Sequence, residues 1–127
     1  MAALIYLDTH VVAWLYAGRT DLLSLRAKDA INRDELLVSP MVTLELEYLH
    51  EIDRLKVRAE SVMRSLQGQL GLRVCDLGFP EIVASAVGQR WTRDPFDRLI
   101  VAHAVATGRP LLTRDETIRR HYRRALW

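Results

Sequence analysis

Hydrophobic positions along this chain follow two alternating rhythms. Short apolar runs, LIYLD at 4–8, ELLVS at 35–39, LRVCDL within 72–77 and PLLT at 110–113, have the length and composition of buried strands. Between them apolar residues recur every three or four positions, the period of an amphipathic helix. Helices are expected over 10–17, 22–32, 41 to about 57, 59–70, 80 to about 87, 95–107 and 116–124. The punctuation agrees. Thr9 offers an N-cap to the first helix, and Gly18 and Gly108 stand where helices end. Ser39-Pro40 and Asp94-Pro95 each place a capping side chain before a proline at the first helical position.

Strands this short, separated by helices, imply βαβ units and hence a parallel sheet covered on both faces. The expected fold class is α/β, a three-layer sandwich with a small parallel sheet flanked by helices, in one domain over 1–127. In such sheets the ligand crevice lies beyond the carboxyl ends of the strands. The residues that reach that edge are therefore the ones to examine.

Composition narrows the picture. Half of the 127 residues are hydrophobic and 27% are charged, unlike a disordered chain. No run approaches the ~20 apolar residues of a membrane-spanning helix, and MAALIYLDTH lacks the basic start of a signal peptide. No membrane role and a cytoplasmic location are expected. Cys75 is the sole cysteine, so neither an internal disulfide nor a thiolate zinc cluster is available. Of the 18 basic residues only Lys28 and Lys56 are lysines. Arg114, Arg119, Arg120, Arg123 and Arg124 crowd the last stretch of the chain. That cluster reads either as a solvated helix face or as a surface for phosphate backbones, with Arg114, Arg119 and Arg120 the candidates to bind substrate.

The candidate chemistry is acidic. Asp8 ends the first strand, Asp115 follows the last, Asp97 lies in the first turn of the helix opened by Asp94-Pro95, and Glu45 is in the second turn of the helix after the second strand. Glu45 shares a helical face with Met41, Tyr48, Leu49 and Ile52, an apolar stripe, whereas Glu47 groups with Thr43, His50, Glu51 and Arg54. A carboxylate on an apolar face is costly unless something pairs with it. Asp94 reads as an N-cap. Each acid alone has an ordinary structural explanation; together they would crowd one crevice. Like charges ~4 Å apart repel by about 4 kcal/mol at an effective dielectric of 20, so converging carboxylates need a cation or a proton.

Oxygen ligands without zinc-like histidine or cysteine spacing point to Mg²⁺ or Mn²⁺, and such a site suits phosphodiester hydrolysis. Asp8 and Asp97 are the expected direct ligands, Asp115 a direct or water-mediated one, and Glu45 the residue that orients or deprotonates the attacking water. Thr9, Ser39 and Thr113 are placed to hydrogen-bond these carboxylates from outside.

Four segments, LIYLDTHVVAWL, LLVSPMVTLELEYL, RDPFDRLIVAHA and PLLTRDETI, together resemble the PIN-domain nucleases, and more closely the VapC-type toxins of bacterial toxin–antitoxin pairs. The resemblance covers nearly the whole chain in order. It implies a PIN-like sheet between helices, an endoribonuclease requiring Mg²⁺ or Mn²⁺, an RNA substrate, a homodimer, and inhibition by a small cognate antitoxin. Its acidic positions fall on Asp8, Glu45, Asp97 and Asp115. Asp94 belongs to the DPFDR variant of the motif, with its contact to metal left open.

Two alternatives stay open: a catalytically silent module whose acidic pocket docks a basic partner, and a housekeeping nuclease of the same family. A haloacid-dehalogenase-type phosphotransferase fits poorly, because position 10 is His10 and no lysine follows Lys56. His103 reads as a core histidine. Trp14, Trp91 and Trp127 could stack on bases or simply pack.

Overall fold

The computed structural model describes residues 3–127; the first two positions of the expected domain lie outside the described residues. Five strands, β1 (Leu4–Leu7), β2 (Glu35–Val38), β3 (Arg73–Val74), β4 (Leu111–Leu112) and β5 (Ala125–Leu126), form one sheet in the order β3-β2-β1-β4-β5. Every pairing is parallel, with Ile5 opposite Leu36 and Leu7 opposite Leu112. Seven helices flank it: α1 (Thr9–Tyr16), α2 (Leu25–Arg33), α3 (Pro40–Glu51), α4 (Ala59–Leu70), α5 (Phe79–Val87), α6 (Pro95–Thr107) and α7 (Glu116–His121). This is the expected three-layer α/β sandwich.

The central strand explains why. Ile5, Tyr6 and Leu7 are all buried, as a parallel strand covered on both faces requires. Val11 and Val12 of α1, Val42 and Leu46 of α3, and Val62 and Leu66 of α4 join them in one core, while Ile82 and Ala86 of α5 meet Ala102 of α6 in a smaller cluster. At ~25 cal/mol per Å² of buried apolar surface, each fully buried valine, leucine or isoleucine among them contributes about 1.5–3 kcal/mol.

Several boundaries differ from the sequence reading, and the strand expected over 72–77 is reduced to the two-residue β3. Asp8, not Thr9, caps α1: its Oδ1 accepts the Thr9 N–H at 2.8 Å. α3 stops at Glu51 rather than near 57, because Asp53 adopts φ 62°, a left-handed turn that helix cannot cross. The second helix starts at Leu25, capped by Ser24, after a 3₁₀ turn at Thr20–Leu22. The last helix ends at His121, and the chain then turns into β5, where Thr113 N–H donates to Leu126 O at 3.0 Å.

Strand order places the site. From β1 the chain builds outward through β2 and β3, then returns to β1's other side for β4 and β5. The order reverses between β1 and β4, and parallel strands part their following loops there. Asp8 leaves β1 and Thr113-Arg114-Asp115 leaves β4 at this reversal.

Candidate active site

Asp8 is 3% exposed, and its carboxylate is fixed at both ends. Oδ1 accepts from Thr9 N–H, and Oδ2 accepts from the buried Thr113 hydroxyl at 2.6 Å. Thr113 Oγ1 in turn accepts the Asp115 N–H at 3.0 Å. One hydroxyl thus ties the ends of β1 and β4 together. Asp115 caps α7, its Oδ1 accepting from Ile118 N–H at 2.9 Å.

Glu45 comes in from α3. The residues buried on that helix are Val42 and Leu46, while Tyr48 and Ile52 are exposed, so the apolar stripe expected to carry Glu45 is rotated from the true core face. Glu45 is half-buried at the edge of that face. Its Oε1 accepts from the Thr9 hydroxyl at 2.5 Å. Burial pushes the Glu45 carboxyl up, the Thr9 hydrogen bond opposes this, and the charges of Asp8 and Asp94 add to the rise.

Asp97 closes the site from α6. Asp94 caps that helix, accepting from Phe96 N–H at 2.8 Å and Asp97 N–H at 3.4 Å, as a residue before proline at the first helical position should. Asp97 stands one step deeper, half-buried. Its carboxyl is pushed up to about 7, first by burial and then by the charges of Asp8, Asp94, Asp115 and Glu45. No hydrogen bond to a neighbour offsets those effects. Carboxylates from β1, α3, α6 and the β4–α7 turn therefore share one electrostatic neighbourhood.

As the side chains stand, no three histidine, cysteine, aspartate or glutamate side chains among the described residues are grouped closely enough to hold one ion. Direct ligation by Asp8, Asp97 and Asp115 together is not preformed. The donor set still fits a hard cation. It is all oxygen, both Asp8 oxygens keep free lone pairs beside their hydrogen bonds, and Asp97 carries a charge the site leaves uncompensated. Mg²⁺ characteristically keeps several waters and takes only one or two carboxylates, so it does not require three converging side chains.

Thr9 and Thr113 hydrogen-bond carboxylates as the sequence led one to expect. Ser39 does not. Its hydroxyl caps α3 through Met41 N–H at 3.1 Å and lies 2.9 Å from Nδ1 of His103, which also faces Leu99 O at 3.1 Å. Burial lowers the pKa of His103, so the ring is a neutral core group, as read from the sequence. Among the arginines, Arg114 stands at the mouth of the crevice and is exposed, whereas Arg119 and Arg120 lie farther along α7, Arg119 donating to Arg114 O at 3.1 Å.

His10 was not anticipated. Its Nε2 accepts the Arg114 N–H at 2.9 Å and its Nδ1 lies 3.6 Å from Asp8 Oδ2, so it clasps the β4–α7 turn against α1. The available signal was its position, two residues after a strand-end aspartate and one helical turn before Trp14.

A parallel sheet with reversed strand order, and carboxylates from four segments near the point where it reverses, define a small α/β domain with an acidic crevice. Comparison with known proteins makes the assignment specific. The family model described as PIN domain matches residues 5–124, and the chain belongs to this family. It is 37% identical over 121 residues to "Ribonuclease VapC22" of Mycobacterium tuberculosis (strain ATCC 25618 / H37Rv), covering 92% of this chain and 91% of the relative. Its fold is similar to that in the crystal structure of VapBC2 from Rickettsia felis bound to a promoter DNA fragment, with a TM-score of 0.69 at 18% identity and 92% of each chain covered. It is also similar to a toxin–antitoxin complex from Klebsiella pneumoniae, with a TM-score of 0.65 at 17% identity, covering 99% of this chain and 97% of that one. PIN-domain ribonucleases are generally dependent on a divalent metal.

Proposed function

We propose that this protein is a Mg²⁺- or Mn²⁺-dependent endoribonuclease and the toxin of a VapBC-type toxin–antitoxin pair. Family membership and the named ribonuclease relative support the hydrolase class. The observation that carries the site assignment is Asp97: a half-buried carboxyl pushed up to about 7, first by burial and then by the charges of acids that include three from other segments.

A bound divalent cation would supply charge neutralisation at the scissile phosphate and acidify an attacking water. The protein's own groups have separable duties. Asp97 and Asp8 would hold the ion, with Asp115 reaching it directly or through water. Thr113 fixes Asp8 in one rotamer and links it to the Asp115 backbone. Glu45, raised in pKa by burial and oriented by Thr9, is suited to take a proton from the attacking water. Arg114 at the mouth, with Arg119 and Arg120 beyond it, would meet the RNA backbone. The experiment is cleavage of structured RNA by protein purified free of partners, with and without Mg²⁺ or Mn²⁺, and with Asp97→Asn as control. Metal-independent cleavage, or full activity in Asp97→Asn, refutes the assignment.

The partner reading rests on the structural neighbours, which are VapBC and toxin–antitoxin complexes. A small antitoxin is proposed on that likeness, and a homodimer on the resemblance to VapC-type toxins alone. Among the described residues no helix is long and apolar enough to cross a membrane, and a cytoplasmic site of action follows from the substrate. One observation favours a second reading: without a preformed three-ligand set, the acidic pocket would serve a silent module that docks a basic peptide. Calorimetry with Mn²⁺ separates the two, since the docking module binds no metal.

A further inference from the structure

Beside the acidic crevice, three aromatic rings meet on one side of α1. The ring centroids of His10 and Trp14 lie 5.0 Å apart, those of Trp14 and Trp127 6.0 Å, and those of His10 and Trp127 6.4 Å, all tilted or edge-on. The Arg114 guanidinium lies 5.9 Å from the centre of the Trp14 ring. His10, Trp14, Arg114 and Asp115 line an open cleft of about 300 Å³. None of the three rings is fully buried: Trp14 and Trp127 pack one side on the core and stay half-exposed. The third indole behaves differently, since Trp91 donates its N–H to Gln89 Oε1 at 2.8 Å and its ring stacks on His121.

We propose that this cleft is a nucleobase subsite, which seats one base of the RNA strand next to the phosphate being cleaved. The inference rests on the nuclease reading for its strand, but not for its chemistry. A half-exposed planar indole with a guanidinium beside it matches the flat face and polar edge of a base. Bases stack on aromatic and guanidinium planes with little regard to sequence. The polar lining suits a base edge, because Arg114 brings a hydrogen-bond donor and Asp115 an acceptor to the same cleft.

Continuity with the crevice decides which base. Asp115 belongs to both, and His10 joins them physically by accepting the Arg114 N–H while facing Asp8. A base held against Trp14 would therefore belong to a nucleotide flanking the reacting phosphate. Trp14 and Arg114 are base-holding residues on this view, and His10 is a positioning residue that keeps the β4–α7 turn against α1.

The test is binding of an uncleavable 2′-O-methyl RNA oligonucleotide, and of the same strand carrying one abasic position at each site in turn, followed by indole fluorescence. It needs no turnover, so it stands even where cleavage fails. Trp14→Leu is expected to weaken binding about tenfold, Trp14→Phe to restore most of it, and Arg114→Ala to weaken it less. One abasic position should cost wild type a similar factor and cost Trp14→Leu nothing. On cleavable RNA the loss should appear in KM, with kcat within about twofold. Melting temperatures identify a variant that fails to fold, and Trp14→Phe then carries the comparison through the single abasic strand. Equal affinities of folded wild type and Trp14→Leu overturn the proposal, as does a loss that is the same for intact and abasic strands. Quenching of these indoles by a basic antitoxin-like peptide but not by the oligonucleotide would also overturn it, and assign the surface to a protein.

Discussion

The hydroxyl of Thr113 donates to Asp8 Oδ2 at 2.6 Å, joining residues 105 positions apart in sequence at the point where the strand order reverses. Both groups are buried, so the bond is made where water cannot replace it. Removing a partner from a buried carboxylate costs about 1–3 kcal/mol, and loss of a hydrogen bond that orients a metal ligand typically costs about 10–100-fold in metal affinity or activity. Thr113→Val should therefore lower both the melting temperature and the affinity for Mn²⁺, while Thr113→Ser retains both. Calorimetry showing unchanged Mn²⁺ affinity in a folded Thr113→Val would contradict the role given to this bond.

Asp97 makes a prediction about pH. Its carboxyl is raised to about 7 in the folded chain, against ~3.9 when unfolded. Between those values the native state holds more protons than the unfolded state, so stability falls as pH rises. Below pH ~4 both states are protonated and the difference vanishes; above about pH 7 the loss is complete. Glu45, also raised, acts in the same direction, and His103, lowered by burial, acts in the opposite one. The diagnostic is therefore a difference: metal-free wild type should lose melting temperature between pH 5 and pH 8 more steeply than Asp97→Asn. Saturating Mg²⁺ should recover that loss in wild type and not in the variant. Parallel pH curves for the two proteins would rule out Asp97 as the strained group.

How much of this was visible in the sequence depends on what sets each feature. The carboxylates of Asp8, Asp97 and Asp115 stand at strand ends or helix starts, where local chemistry and parallel topology together fix their address. Cap-then-proline pairs located α3 and α6 correctly because both signals are local. The end of α3 was not legible. Nothing between 52 and 57 breaks the apolar period, and the break comes from Asp53 in left-handed backbone. β5 escaped for another reason: Ala125–Leu126 is a two-residue strand that exists only because β4 offers an open edge. Ser39 was misassigned because its partner, His103, is a long-range neighbour from α6. His10 showed no signal beyond its spacing.

Glu45 isolates the proton-transfer step. Glutamine at this position keeps an oxygen able to accept the Thr9 hydroxyl but removes the base. General acid–base groups contribute about 10²–10⁴-fold. Glu45→Gln should therefore lower kcat by about that factor while leaving Mn²⁺ affinity within a few-fold and raising the melting temperature slightly, since a half-buried charge is removed. Matched losses in metal affinity and kcat would instead make Glu45 a ligand. Single-turnover cleavage alongside calorimetry separates the two.

Glu47 provides the contrast, because it sits two residues from Glu45 but is engaged by Arg58 and the start of α4. Its carboxylate accepts from Arg58 Nη2 at 2.6 Å and Nε at 3.0 Å, and from the Ala59 N–H at 3.1 Å. The Arg58 guanidinium holds its pKa below the usual glutamate range. Arg58 itself provides no side-chain cap to α4, so Glu47 of α3 performs that task from a neighbouring helix. The turn at 52–57 is thus bracketed by α3 on one side and a cap supplied by α3 on the other. Glu47→Gln should lower the melting temperature by a few degrees at most, as loss of an exposed cap does, and high salt should shrink the difference by screening the Arg58 pair. kcat and Mn²⁺ affinity should stay at wild-type values. A fall in kcat with unchanged stability would mean that α3 presents both of its glutamates to the substrate, and the division of that helix into a chemical and a structural carboxylate would have to be abandoned.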